Sequence, residues 1–317
     1  MLGIGLSPEG IALAHVVRSG AEAPRLLHCE FQPLGPEDNA VTILRQRVQQ
    51  LGLCNVPVVT ALNPGEFSLQ MVEAPKVAPE ELGQAVRWSI RDRLDFDIDE
   101  AVIEVFEIPG QKERGRAPLV YVVAARQQVV QRYIDQFTDA GVSLEYIDIP
   151  ELAQRNIAAL LPEDASGVAV LSLTDTVGEL TLTREGVLYL ARELEQDKQL
   201  LQQAEPVVQG GGGAGLALAG MPPERQRLLD GIVLEVQRSL DYYESHFSQP
   251  PITSLVIAPQ YQVLSDVCEY LAGMLGMPVR FLDLNDVLEV AEPLNATLQA
   301  DCYLAIGLAL REIEEEG

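Results

Sequence analysis

Gly3-Ile4-Gly5-Leu6-Ser7-Pro8-Glu9-Gly10-Ile11-Ala12-Leu13 is the stretch on which the fold turns. Apolar runs Leu2 to Leu6 and Ile11 to Val17 flank Ser7-Pro8-Glu9-Gly10, whose residues have turn chemistry, so the segment reads as a β-hairpin. A third strand around Leu26 to Phe31, a helix over Ala40 to Leu51 with Val41, Leu44, Val48 and Leu51 at helical spacing, and a strand over Val56 to Leu62 complete a first βββαβ group. The same logic starts again at Val168 to Leu173, continues through Glu179 to Thr183 and the turn Arg184-Glu185-Gly186, and ends at Val187 to Ala191. Two halves built alike point to an internal duplication.

Between the halves, Pro79-Glu80-Glu81 opens a helix with Leu82, Val86, Ile90 and Leu94 on one stripe, with proline and acids in the first turn where the dipole favours them. Strands follow over Val102 to Ile108 and Leu119 to Ala125, then a helix over Gln127 to Ala140 that stops at Gly141. Strand Leu144 to Asp148, helix Pro150 to Leu161 and a hinge at Pro162 to Gly167 lead into the second half. Its later elements are a helix from about Glu224 to Phe247, with Leu229, Val233, Val236, Leu240 and Tyr243 on one face, a strand Ser254 to Ala258, a helix Val263 to Leu275, a strand Val279 to Leu282 and a last helix Asp301 to Glu312. The expectation is an α/β protein with two domains around a cleft: a first domain over 1–71 and 142–165, an inserted subdomain over 72–141, and a second domain over 166–317 whose last helix is a candidate to pack back on the first.

With 317 residues, 47% of them hydrophobic, the chain can bury a core in each half without disulfides. Cys29, Cys54, Cys268 and Cys302 make no C-x-x-C pair and read as reduced thiols. Twenty-two basic against 47 acidic residues leave a formal charge of −25, which repels phosphate backbones and argues against nucleic acid as a ligand. No apolar run approaches the roughly 20 residues that span a bilayer, and the start of the chain lacks a basic n-region. The expectation is a cytoplasmic protein brought to a membrane only by a partner.

Five segments in order resemble the actin-like ATPase superfamily, in particular the PilM family of type IV pilus platform proteins with its mannose-sensitive haemagglutinin branch, MshI. The opening Gly3 to Leu13 is similar to that family's G-I-D-I-G-S-x-S-I-K-L, and Asp95-Phe96-Asp97-Ile98-Asp99-Glu100-Ala101-Val102 to its P-F-D-x-D-E-A-V. Tyr146-Ile147-Asp148-Ile149 with Leu152-Ala153 resembles the I-D-x-x-x-x-A step. Glu235-Val236-Gln237-Arg238-Ser239-Leu240-Asp241-Tyr242-Tyr243 is similar to E-I-Q-R-S-L-D-Y-Y, and Leu304 to Arg311 to the last helix.

That resemblance implies a nucleotide site built from two phosphate-binding hairpins and a glycine-rich adenosine loop, and this chain departs from it in all three. Glycines let backbone N–H groups approach phosphate, and an acid organises Mg²⁺ or water. Gly5 stands where the first acid is expected, Ser7 where a phosphate glycine is, and Ala12 where a lysine is; Gly10 survives nearby. In the second loop Ser172 replaces the acid and Thr174 the glycine, with Asp175 a candidate shifted by one residue and so facing the other side of the strand. Pro259-Gln260-Tyr261-Gln262 occupies the adenosine loop. The reading is a non-hydrolysing protein with no catalytic residues, no metal and no cofactor; a protein that retains ATP as a switching ligand is the alternative, and a sugar-kinase-type phosphotransferase or a type II secretion domain are more distant ones.

Other features carry less. Gly210 to Gly213, continuing Ala214-Gly215-Leu216, lacks the Lys-Ser/Thr of a P-loop and reads as a loop. His15, His28 and His246 have no Ser or Cys with Asp around them, and Asp95, Asp97, Asp99 and Glu100 lack the spacing of a calcium loop. What the resemblance implies instead is a scaffold of pilus biogenesis that binds the cytoplasmic N-terminal peptide of a PilN-like or MshJ-like inner-membrane partner. Trp88, the only tryptophan, is either a partner contact or packed between Val86 and Ile90.

Overall fold

In the computed structural model of the chain, residues 1–18, 23–78, 81–111, 117–173, 177–195, 223–261 and 265–312 are described. They belong to two units, one formed by Met1–Ala153 with the chain from Leu304 on, the other by Gln154–Tyr303.

In the first unit, β1 (Leu2–Leu6), β2 (Gly10–Val17) and β3 (Arg25–Pro33) form the antiparallel meander, with Gly5 opposite Ala12 and Leu6 opposite Ile11. Helix α1 (Ala40–Leu51) is capped by Asn39, whose side chain accepts from the Thr42 amide at 2.9 Å, and ends on Gly52 with φ 69°. Strand β4 (Val58–Ala61) then lies parallel to β1. The insertion follows as β5 (Phe67–Glu73), α2 (Leu82–Ile90), β6 (Ala101–Glu107), β7 (Leu119–Arg126) and α3 (Gln127–Ala140), and β8 (Leu144–Asp148) returns parallel to β4. The main strands of this unit run in the order β3-β2-β1-β4-β8, and β5-β7-β6 make a separate antiparallel sheet.

Strand β5 is an addition to the elements expected from sequence, and the two-residue periodicity of Phe67-Ser68-Leu69-Gln70-Met71-Val72 accounts for it. Helix α3 is grouped with the insertion in the sequence reading; its buried Tyr133, Phe137 and Ala140 lie in one core with Leu2, Ile4, Ile11, Leu13, Leu44 and Val48. The insertion has a core of its own, in which Val86 and Ile90 of α2 meet Val72, Val120, Val122 and Ala124. A polar tie joins β5 to α3: Glu66 accepts from the Tyr133 hydroxyl at 2.7 Å and the Asn63 amide at 3.0 Å, and Arg132 pairs with its other oxygen. Burial, aided by that carboxylate, pushes the Tyr133 hydroxyl far above its usual value of 10.0, so it stays a donor.

The second face of the main sheet is covered by α4 (Pro150–Ala158) and the latter part of α7 (Ala296–Ala309), where Val59, Ala153 and Leu308 form a cluster. Glycine is required at this crossing. A Cβ on Gly3 would stand 1.9 Å from the Ala305 carbonyl oxygen, and one on Gly307 would stand 2.3 Å from that of Ala153. Arg311 then donates to Asp148 at 2.6 Å and lies over the Tyr146 ring, while Asp148 also accepts from the Ile149 amide. The last helix starts at Ala296, five residues before the expected Asp301, because the Asn295 side chain caps it by accepting from the Leu298 amide at 2.9 Å.

The second unit repeats the strand plan. Antiparallel β9 (Val168–Leu173), β10 (Val177–Arg184) and β11 (Val187–Glu195) are extended by parallel β12 (Leu255–Ile257) and β13 (Val279–Phe281), giving the order β11-β10-β9-β12-β13. Helices α5 (Pro223–Phe247) and α6 (Ser265–Leu275) complete it. On α5 the buried stripe is Leu229, Ile232, Val233, Val236, Ser239 and Tyr243; Leu240 is only half-buried, and Ser239 takes the inner position by returning its hydroxyl to the Glu235 carbonyl at 2.7 Å. Tyr243 packs edge-on against Tyr189 with ring centroids 5.4 Å apart.

Pro162–Ser166, read from sequence as a hinge, is a 3₁₀ turn locked within this unit. The buried Asp164 carboxylate accepts from the Thr183 hydroxyl at 2.8 Å and the Gly186 amide at 2.6 Å, and Glu163 forms a two-pronged pair with Arg280 at 2.7 and 3.0 Å. The short polar segment reads as a hinge in sequence because its partners lie far along the chain.

Gly3→Ala loses about 1–3 kcal/mol or more by overpacking, whereas Gly83→Ala, on a helix with open space around it, is neutral or gains up to about 1 kcal/mol; thermal denaturation of both variants checks this. Hydrogen bonding from Arg280 holds the Glu163 carboxyl below its ordinary 4.5, so its contribution is present above that value and is lost as pH falls through the lower folded value. Both partners are partly exposed, so Glu163→Gln costs no more than about 1 kcal/mol at neutral pH, and the difference from the parent in denaturant titrations closes in acid.

Candidate functional site

In the first hairpin the turn consumes its own polar groups. The Ser7 amide donates to the Gly10 carbonyl at 3.0 Å, and the Gly10 amide donates to the Ser7 carbonyl at 3.3 Å and to the Ser7 hydroxyl oxygen at 3.2 Å. An N–H held inside its own turn is not aimed at a phosphate. Gly10 has a packing reason to be glycine, since a Cβ there would stand 2.3 Å from Cζ of Phe31 and 2.7 Å from the Gln32 carbonyl oxygen. At Gly5 a Cβ would meet only the Ala12 Cβ at an ordinary 3.7 Å. The backbone could therefore carry an acid at position 5, and Ala12, buried opposite it, supplies no cation.

In the second hairpin, Ser172 is buried in β9 and opposite Glu179 of β10. Thr174 and Asp175 lie outside the described residues, as do Gln262 and the glycine run from Gly210. After β12, Pro259 is buried, Gln260 donates to the Ala258 carbonyl at 3.3 Å, and the exposed Tyr261 ring is tethered by its hydroxyl to Asp301 at 2.7 Å. Side chains thus stand at the described positions where the resemblance expects glycine.

The remaining chemistry-bearing groups have local roles. His15 faces His28 across β2 and β3, and burial, the amino terminus and His28 lower its pKa; His28 lies 3.1 Å from Glu30, which Arg47 also holds. His246 stacks on Tyr242 with centroids 3.8 Å apart. Burial raises the Cys268 thiol to about 11, far from a reactive thiolate. Among the described residues no three His, Cys, Asp or Glu side chains gather in a way that could hold a metal ion, and no helix is long and apolar enough to cross a membrane.

The insertion presents two surfaces that sequence reading did not assemble. Pairing across β5-β7-β6 aligns Phe67, Ala125 and Val102, then Leu69, Val123 and Glu104, then Met71, Tyr121 and Phe106, on the face away from α2. Phe67 and Ala125 join the main core. Leu69, Met71, Val123 and Phe106 form a half-buried apolar surface, with Phe106 stacked on Tyr121 at 5.0 Å and Glu104 exposed among them. At the Ala125 end, a polar groove of about 540 Å³ runs along α3, lined by Glu100, Arg126, Gln131, Arg132, Asp135 and Asp139 among others. The alternation in Phe67–Glu73 and Leu119–Arg126 carried the first of these surfaces; the register that unites them did not show in sequence. On the opposite side, Trp88 does not pack: α2 buries Val86 and Ile90 and leaves the indole 71% exposed.

No protein-family profile and no curated protein sequence matches the chain. Among solved structures, it is similar to a PilM–PilN type IV pilus biogenesis complex, with 22% identity over 99% of this chain and 98% of the other and a TM-score of 0.71. The fold is that of the actin-like ATPases. The cytoplasmic domain of EpsL, an inner-membrane component of the type II secretion system of Vibrio cholerae, aligns at 12% identity over 96% of this chain and 94% of its own with a TM-score of 0.49. A Bacteroides thetaiotaomicron protein with an actin-like ATPase fold and unknown function aligns at 10% over 94% and 93%, with a TM-score of 0.48.

The hairpin geometry predicts an asymmetry between two glycines of one motif. Gly5→Asp folds with a stability within about 1 kcal/mol of the parent, whereas Gly10→Asp loses about 1–3 kcal/mol by overpacking against Phe31 and the Gln32 carbonyl. Denaturant titration of the pair measures both.

Proposed function

We propose that the chain is a scaffold protein of type IV pilus biogenesis, of the MshI kind, that binds the cytoplasmic N-terminal peptide of a PilN-like or MshJ-like inner-membrane protein and does not hydrolyse nucleotide. The likeness to a PilM–PilN complex along almost the whole of both chains carries the reading. The apolar face of β5-β7-β6 supports it, because an extended peptide needs apolar pockets at alternate residues and a sheet edge to pair with. In this proposal the peptide seats on Leu69, Met71, Phe106 and Val123, and its basic residues lie towards Glu104 and the acids of the neighbouring groove. The net charge of −25 draws such a tail in, since cytoplasmic segments next to membrane spans are rich in Lys and Arg.

The proposal of no turnover and no resident cofactor rests on position 5 without an acid, position 12 without a cation, and a Gly10 amide held by Ser7. Losing one charge-stabilising group from such a site costs about 10²–10³ in rate, and here several are missing. The protein works at the inner membrane through its partner, without inserting.

Calorimetry with a synthetic peptide of the partner's basic cytoplasmic tail is expected to give saturable binding that weakens at high salt. Val123→Asp and Phe106→Asp are expected to weaken it about tenfold or more, the cost of burying an unpaired charge. Titration with Mg-ATP is expected to give no binding heat and no release of phosphate; micromolar binding of ATP would overturn the cofactor reading in favour of a switch.

A further inference from the structure

The sheet of the insertion ends on β6, and two side-chain contacts fix which backbone groups face its outer edge. Arg87 donates to the Ala101 carbonyl at 3.4 Å, so that carbonyl points away from β7. Gln111, just past β6, takes up both the N–H and the C=O of Leu119, at 2.7 and 2.6 Å, on the β6 side of β7. Backbone direction alternates along a strand. Val102, Glu104 and Phe106 therefore spend their amides and carbonyls on Ala125, Val123 and Tyr121, while those of Ile103 and Val105 turn outward. No strand lies along them among the described residues.

The side chains give this edge a pattern. On the open face Val102, Glu104 and Phe106 stand in a row, two apolar groups flanking one carboxylate. Val102 is 36% exposed, whereas on β5, at the opposite edge, Phe67 to Met71 are all half-buried. Glu104 is exposed and has neither an ion pair nor a side-chain hydrogen bond among the described residues. Ile103 and Val105 pack on the other face, against the core that α2 shares.

An unpaired edge is a template for another strand, and the row selects which one. A second copy of β6, paired symmetrically, sets carboxylate against carboxylate between chains that each carry −25. A strand with Lys or Arg at the central position meets Glu104 with the opposite charge. We propose that one segment of the partner's basic tail adds along β6 as a fourth, antiparallel strand with the sequence apolar-x-basic-x-apolar. This rests on the reading above, in which the sheet face receives that tail, and the chain beyond the segment lies across Met71 and Leu69. Antiparallel pairing continues the pattern of the sheet and is the more stable kind per residue. The two residues marked x exchange hydrogen bonds with Ile103 and Val105. The basic residue then stands opposite Glu104 in a non-hydrogen-bonded pair, with Cβ atoms about 4.5–5.5 Å apart, and the apolar residues meet Val102 and Phe106.

Calorimetry on the full chain tests this with a synthetic peptide of core Leu-Thr-Arg-Thr-Leu and two relatives. Leu-Arg-Thr-Thr-Leu keeps the composition but moves the cation to the other face of the strand, and Leu-Thr-Glu-Thr-Leu reverses the charge. The first peptide is expected to bind saturably and both relatives about tenfold or more weakly. Glu104→Arg is expected to invert the order of the Arg and Glu peptides. N-methylation of the two Thr amides is expected to abolish binding, and of the Arg amide to leave it unchanged, since only the former point at β6. The proposal is overturned if the first peptide does not bind, if the isomer binds equally, if Glu104→Arg leaves the order as it was, or if N-methylation of the Thr amides has no effect. Should any of these occur while the tail peptide still binds and Val123→Asp still weakens it, the strand falls and the sheet-face reading stands. If neither the tail nor these peptides bind, both fall.

Discussion

Helix α7 reaches the first sheet at backbone distance. Its carbonyl at Ala305 lies where a side chain of Gly3 would be, and its own Gly307 is set against the Ala153 carbonyl of α4. Once both glycines allow that approach, Val59, Ala153 and Leu308 close over the sheet, and Arg311 arrives beside the buried Asp148. Breaking a pair of this kind by removing one partner leaves a buried charge and costs about 3–5 kcal/mol. The arrangement also fixes the first hairpin, because the strand that α7 presses on is the strand that leads into Ser7–Gly10.

The hairpin so fixed spends its polar groups on its own turn. Its turn is closed by hydrogen bonds between Ser7 and Gly10, and the facing positions 5 and 12 carry no charge. The insertion presents an apolar sheet face on one side, and on the other α2 buries Val86 and Ile90 and leaves Trp88 exposed. The Glu66, Tyr133 and Asn63 tie joins the insertion to the main core, so neither surface hangs on a loose module.

The repeated strand plan was legible because hairpins announce themselves locally: apolar runs, a turn of Ser, Pro, Glu and Gly, and a helix at 3.6-residue spacing. Capping by Gly141 was legible for the same reason. Features that depend on distant partners were not. Asp164 looks like part of a hinge until Thr183 and Gly186 are placed on it. The apolar surface of the insertion needs the register of three strands, one of which, Phe67–Glu73, is apolar only at alternate residues. Trp88 could be placed on α2 beside the stripe of Val86 and Ile90 from sequence, but whether a neighbouring element covers it depends on the packing around the helix.

The two glycines of the opening motif also keep different kinds of memory. Position 5 can accept a new side chain without disturbing its neighbours, since a Cβ there meets only the Ala12 Cβ at 3.7 Å. Position 10 is held by the ring of Phe31 and cannot change whether or not phosphate is ever bound. The glycine at position 10 is therefore a record of how β2 lies against β3, whereas nothing in the packing dictates the residue at position 5.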